Sequence, residues 1–342
     1  MNTSNRIGLK KLNSLCVIEI PYGDLNWGPD PAHKRPGIYS DIQHWKKYRE
    51  LDDYHLCGIY AKAAVPYRVE EIVYEPRAEE EVYLGLTRQV SDAVCHGLEN
   101  GDALLLAGGY CKDAVGVCGG IQRAIGTDKK VGIIYLDAHS DMSTPAVTHT
   151  GILGGMDMAV ILGADMPEWR EAAGLQMPYD DRLVLLSDFR EAEVDDDGAL
   201  EIIQGLRIQW LKSEEFEQNA LWEKAVRELA DRVDAIYLHI DADILNHKHV
   251  PNAACVAEGG PSIDTVMRNI RTVMETGKVL VYGTYGFYFD TDVPGQDSLT
   301  LSGLRVVSAG LDSWKKMPDC FPSPLPKSYI GDAGEVEDIN KS

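Results

Sequence analysis

The stretch "IIYLDAHSDMSTP", residues 133–145, ends an apolar run in three ionisable side chains at alternate positions, Asp137, His139 and Asp141. Alternation along an extended chain puts all three on one side. The run from Val131 to Leu136, apolar and rich in branched residues, reads as a buried strand. Polar groups at the end of such a strand need a counter-charge or a function. Similar runs recur at 15–20, 103–109, 182–188, 206–211, 235–241 and 278–286, with helix candidates at 79–100, 219–233 and 262–277 between them. Strands that are apolar throughout and alternate with helices predict a parallel sheet covered on both faces.

The totals agree with that reading. Of 342 residues, 44% are hydrophobic, and no run is long enough to span a bilayer. The first residues, "MNTSNRIGLKKLNSL", lack the apolar segment of a signal peptide, so the expected location is the cytoplasm. A net charge of −21 repels phosphate backbones and anionic lipid, so neither nucleic acid nor a membrane is expected as a partner. Seven cysteines without short paired spacings predict no disulfide framework, and Cys16, Cys57, Cys95 and Cys320 read as packing residues. One domain is expected over 1–330, with a turn-rich insertion at 21–56 and a polar tail at 331–342.

Ligands of open parallel sheets bind outside the carboxyl ends of the strands. Polar groups gather there: Cys111 after 103–109, Asp137, His139 and Asp141 after 131–136, and Asp241 and Asp243 after "IYLHI". Carboxylates sharing a site raise one another's pKa, and divalent cations resolve that conflict. Oxygen-rich ligation with one imidazole favours Mn²⁺ or a similar hard cation. Two such ions roughly 3.5–4 Å apart lower the pKa of a shared water and support hydrolysis. Alone, D-A-H-S-D also reads as a helix cap with a salt-bridge cluster, and D-A-D as a turn. Their joint occurrence after buried strands, about one hundred residues apart, favours the metal reading.

The motifs "GGYCKDAVG", "LDAHSDMSTP" and "HIDADIL" resemble the three metal motifs of the ureohydrolases, the arginase, agmatinase and formiminoglutamase family, from about Leu104 to Leu304. The resemblance implies a three-layer α/β/α sandwich with an eight-stranded, mostly parallel sheet and a homo-oligomer, trimer or hexamer. It implies two Mn²⁺, with Asp137 and Asp241 bridging them, Cys111 and Asp141 completing one shell, and His139 and Asp243 the other. It further implies attack of activated water on a guanidinium carbon, proton uptake by Asp141, and collapse to an amine and urea. In "STPAVTHTG", Thr148 and Thr150 match hydroxyl positions of the arginase loop that holds a substrate's α-carboxylate.

Three features depart from that pattern. Cys111 stands where the family has His; it is a thiolate ligand, a packing residue beside a lost ion, or a nucleophile at a helix N-terminus. The N-hydroxyarginine hydrolase branch shares this Cys and the "TGxLGGM" pattern at Thr150–Met156, and Cys111 admits divalent ions other than Mn²⁺. Gly154 aligns with the family's proton-relaying His; His149, His247 and His249 stand near the site in sequence, and His149 is the candidate shuttle. No Glu lies near Tyr288, where the family's guanidinium-facing Glu belongs, which leaves Tyr288, Glu258 or Asp290 to contact the substrate. The loop that contacts the α-amino group has no counterpart in "SDFREAE", 187–193.

The expected activity is therefore hydrolysis of a C–N bond in a small or peptidyl guanidino compound: arginine, N-hydroxyarginine or a peptide-borne arginine. Two alternatives stay open, a catalytically silent scaffold of the same fold and a mononuclear zinc deacetylase of the same architecture.

Overall fold

The computed structural model describes residues 10–20, 22, 65–74, 77, 80–148, 151–190, 199–251, 253, 257–287, 296–318 and 320. The tail at 331–342, Cys57, and all of the 21–56 insertion except Tyr22 lie outside them.

Ten strands are described: β1 (Lys10–Lys11), β2 (Leu15–Ile20), β3 (Tyr67–Glu71), β4 (Ala103–Gly108), β5 (Val131–Leu136), β6 (Val184–Ser187), β7 (Gln209–Leu211), β8 (Ala235–Asp241), β9 (Val279–Tyr285) and β10 (Lys316–Met317). Eight form one sheet in the order β3-β2-β4-β9-β8-β5-β6-β7, and every pairing in it is parallel. β1 and β10 make a separate antiparallel pair. All residues of β2, β4, β5, β8 and β9 are buried, as strands covered on both faces must be. The architecture is a three-layer α/β/α sandwich, with helices packed on the faces of the sheet.

The longer helices are α1 (Val82–Glu99), α2 (Ala114–Ile125), α3 (Asn219–Ala230), α4 (Ile263–Glu275) and α5 (Gln296–Ser313). In α2, Gly116 and Gly120 let the helix lie against α1. A Cβ at these positions would stand 2.7 Å from the Thr87 carbonyl oxygen and 2.6 Å from that of Ser91. That close approach fixes the start of α2, and with it Cys111 in the 3₁₀ turn Cys111–Asp113 that runs straight into the helix. The strands that carry the expected ligands, β4, β8 and β5, lie in the middle of the sheet, with β9 between the first two. Cys16, Cys95 and Cys118 are buried thiols, and Cys320 is half-buried.

Candidate metal centre

Two Asp-x-polar motifs fold by the same local device. Asp137 Oδ1 accepts from the His139 backbone N–H at 2.7 Å, and Asp241 Oδ1 accepts from that of Asp243 at 2.8 Å. Each aspartate thus closes a tight turn at the end of its strand. Asp243 Oδ1 then accepts from the Ala138 N–H at 3.2 Å, tying the two turns together. The Arg190 guanidinium reinforces the junction by pairing with Asp188 and donating to the backbone carbonyls of Asp243 and Ile244, while its own N–H bonds the Ala138 carbonyl at 3.0 Å. A side chain committed in this way is scaffolding for the loops.

Cys111 Sγ approaches Asp241 Oδ2 at 2.9 Å and Asp137 Oδ2 at 3.5 Å. His139 Nδ1 lies 2.9 Å from Asp243 Oδ2 and 3.4 Å from Asp137 Oδ1. Among the described residues, two groups hold donor atoms that all lie within 4.8 Å of one another. They are Cys111, Asp137 and His239, and Asp137, His139 and Asp243. Asp137 belongs to both. Cys111, Asp137, Asp141, Asp241 and Asp243 are buried, whereas the His139 side chain is 25% exposed and marks the open side.

Burial, then the neighbouring Asp243, Asp141 and Asp241 charges, push the Asp137 carboxyl well up. Burial and Asp243 push Asp241 up in the same way. Burial, then the Asp241 charge, raises the Cys111 thiol well above its ordinary value. Burial alone would lower His139, but Asp243 and Asp137 outweigh it and the imidazole is held well up. Burial would raise Asp243, yet its His139 partner brings it down. These are the signs of a negative basin built for cations, and a mixed set of carboxylate, imidazole and thiol donors fits divalent metal.

Asp141 takes a left-handed backbone conformation, φ 50°, and its carbonyl oxygen accepts from the Met158 and Ala159 N–H groups. Its Oδ2 accepts from the Tyr135 hydroxyl at 2.6 Å, and the same hydroxyl stands 3.1 Å from Asp157 Oδ2. One hydroxyl proton cannot serve both carboxylates. Asp157 is fully buried, and burial, then the Asp141 charge, pushes its carboxyl well up.

Three residues the sequence reading leaves unassigned therefore join the site: His239, Tyr135 and Asp157. Alternation along β8 was the available signal for His239, which shares a face with Asp241. Its ring is stacked between Tyr135, centroids 3.9 Å apart, and Tyr285, 4.3 Å apart. Gly283 pairs with His239 across β8 and β9, and the missing side chain leaves room for the Tyr285 ring, whose Cε2 would lie 2.5 Å from a Cβ there.

Thr148 Oγ1 accepts from the Gly151 N–H at 3.0 Å, a bond within its own loop. Glu258 is exposed and belongs to neither donor group, and His247 and His249 belong to neither as well. His149, Thr150, Tyr288 and Asp290 lie outside the described residues.

The model of a family described as the arginase family matches residues 39–282. The arginase of Bacillus caldovelox is 25% identical over 175 residues, 50% of this chain and 56% of the relative. The arginase of Brevibacillus brevis is 25% identical over 161 residues, 46% and 52% of the two chains. The chain thus spans about half the length of these two curated relatives. The solved arginase structure from Bacillus subtilis superposes with a TM-score of 0.72 at 19% identity, covering 87% of this chain and 98% of that one. That likeness is one of fold.

Proposed function

The chain belongs to the arginase family, and on that premise we propose that it is a binuclear metal hydrolase that cleaves a C–N bond of a guanidino compound to an amine and urea or a urea analogue. The observation that carries this reading is the sharing of Asp137 between two donor groups, which is how one carboxylate serves neighbouring ions. Cys111, Asp137 and Asp241 would hold one ion and Asp137, His139 and Asp243 the other, with Mn²⁺ suited to the oxygen-rich group. Bound there, divalent ions supply Lewis acidity and a water of lowered pKa.

The chain's own groups do the rest. Asp137, Asp141, Asp241 and Asp243 form a negative basin that draws in a cationic guanidinium. Asp141, held by Tyr135, takes up the proton lost by water in the attack. His139, on the open side, borders the path of entry. The lack of a recognisable α-amino-binding loop in the sequence 187–193 supports substrates whose α-amino end is modified, such as a peptidyl arginine, together with N-hydroxyarginine. A homo-oligomer in the cytoplasm completes the proposal.

The test is a screen of the Mn²⁺-loaded chain against arginine, N-hydroxyarginine, agmatine, formiminoglutamate and an arginine-containing peptide, detecting urea and ammonia. Urea from at least one, abolished with metal binding in Asp137→Asn, is the expected result. Acetate release from an acetylated amine with no urea would replace this reading by the deacetylase. A chain that binds guanidino ligands without metal or turnover would replace it by the scaffold.

A further inference from the structure

The donor group that contains Cys111 has a third member, and its surroundings differ from those of the oxygen-rich group. His239 is fully buried in β8 and clamped between two tyrosine rings. Its Nδ1 lies 2.9 Å from the Tyr237 hydroxyl, which in turn lies 2.9 Å from the Tyr285 hydroxyl. Its Nε2 is buried with no hydrogen-bond partner. A polar atom shut away from water in this fashion is destabilising unless something completes it. One ring nitrogen lies within 4.8 Å of the Cys111 sulfur and an Asp137 oxygen, and Nδ1 is already engaged by Tyr237.

From this geometry we propose that His239 joins Cys111, Asp137 and Asp241 as a metal ligand through Nε2, making theirs a sulfur–nitrogen–oxygen site for Zn²⁺ beside the oxygen-rich site of Asp137, His139 and Asp243. The inference rests on the metal-hydrolase reading and deepens it by making the two ions different elements. Nδ1–H donates to Tyr237 and the Tyr237 hydroxyl donates onward to Tyr285, so the lone pair of Nε2 faces the ion. A hydrogen-bond acceptor on the far nitrogen, the place the Tyr237 oxygen takes here, orients a ligating imidazole and fixes its tautomer. The stacked tyrosines remove the remaining freedom of the ring. Thiolate and imidazole together select the softer ion, whereas Mn²⁺ stands at the weak end of the divalent series for such donors. On binding, the Cys111 proton leaves to solvent and the thiolate takes its place in the shell.

The chain is loaded with one equivalent of Zn²⁺, and X-ray absorption reads the atoms around the ion. The expected shell holds one sulfur at about 2.3 Å and an imidazole nitrogen at about 2.0–2.1 Å. Cobalt titration then gives affinities: the His239→Phe variant, which keeps a ring to stack, should bind the thiolate-associated ion about 100-fold more weakly or worse. Binding of Mn²⁺ at the oxygen-rich group should survive that change. A zinc shell without sulfur, or equal cobalt affinity and an equal thiolate-to-cobalt absorption band in wild type and His239→Phe, overturns the inference. The X-ray measurement needs only wild-type protein, so a variant that fails to fold leaves the test intact. Two Mn²⁺ bound with urea release and no sulfur contact would sink this inference alone. A chain that binds neither Zn²⁺ nor Mn²⁺ would sink the hydrolase reading with it.

Discussion

The Tyr135 hydroxyl stands between two buried carboxyl groups, 2.6 Å from Asp141 and 3.1 Å from Asp157, and donates its one proton to the nearer, Asp141. Tyr135→Phe keeps the ring against His239 and strips that support, so it should destabilise the fold by about 1–3 kcal/mol. Urea unfolding of the metal-free chain measures it, and a change under 0.5 kcal/mol, about the scatter of neutral substitutions, would show that the hydroxyl is dispensable. A second expectation concerns protons. Because burial and like charges hold Asp137 and Asp241 well up, the metal-free site keeps protons at pH values where an isolated aspartate has lost them. Metal must displace them, so affinity should rise with pH and each binding event should release protons. Calorimetry in two buffers of different ionisation enthalpy reports the number released, and zero would contradict the charge argument. Asp137, His139 and Asp243 could be picked out in the chain because acidic groups at alternate positions after apolar runs have no cheap structural use. His239 was signalled only by its alternation with Asp241; Tyr135 and Asp157 could not be picked out, because a tyrosine inside an apolar run reads as core and Asp157 reaches the site only through the fold.

Gly283 decides how β9 meets β8. A methyl there would stand 2.5 Å from Cε2 of the Tyr285 ring, so Gly283→Ala should displace that ring from His239. The expected cost is about 1–3 kcal/mol, in line with overpacked interiors. Denaturant midpoints test the stability, and the near-ultraviolet dichroism of the tyrosine cluster tests the displacement; an unchanged signal would mean that the stack does not depend on this glycine. At this scale the interior strands were legible, since each is an apolar run with nothing else it could be. β3, "YRVEE", was not: it is an edge strand, its first three residues are exposed, and charged residues there discourage pairing with another chain. α2, "AVGVCGGIQRAI", carries three glycines that argue against a helix by propensity. Gly116 and Gly120 are there because α1 passes too close for a side chain, and Gly119 because the Ala173 carbonyl does. The run at 206–211 kept only Gln209–Leu211 as strand, at the opposite edge of the sheet, where a single neighbour holds it.

Across the whole molecule, bound ions and stability are linked. An ion present at a hundred times its dissociation constant stabilises the folded state by about 2.7 kcal/mol per site. Thermal unfolding with and without chelator should show that shift, and Asp137→Asn should abolish it for both sites. Identical curves would mean that the folded chain has no use for metal. The parallel sheet also sets the order of events. Cys111 and Asp241 touch although 130 positions separate them in the chain, and contacts of such long range are among the last that a folding polypeptide can close. The two donor groups come together only once β4, β9, β8 and β5 are side by side. Metal should therefore leave the refolding rate unaltered and slow unfolding instead, so that the ions act as a latch on a finished protein and have no part in seeding its assembly.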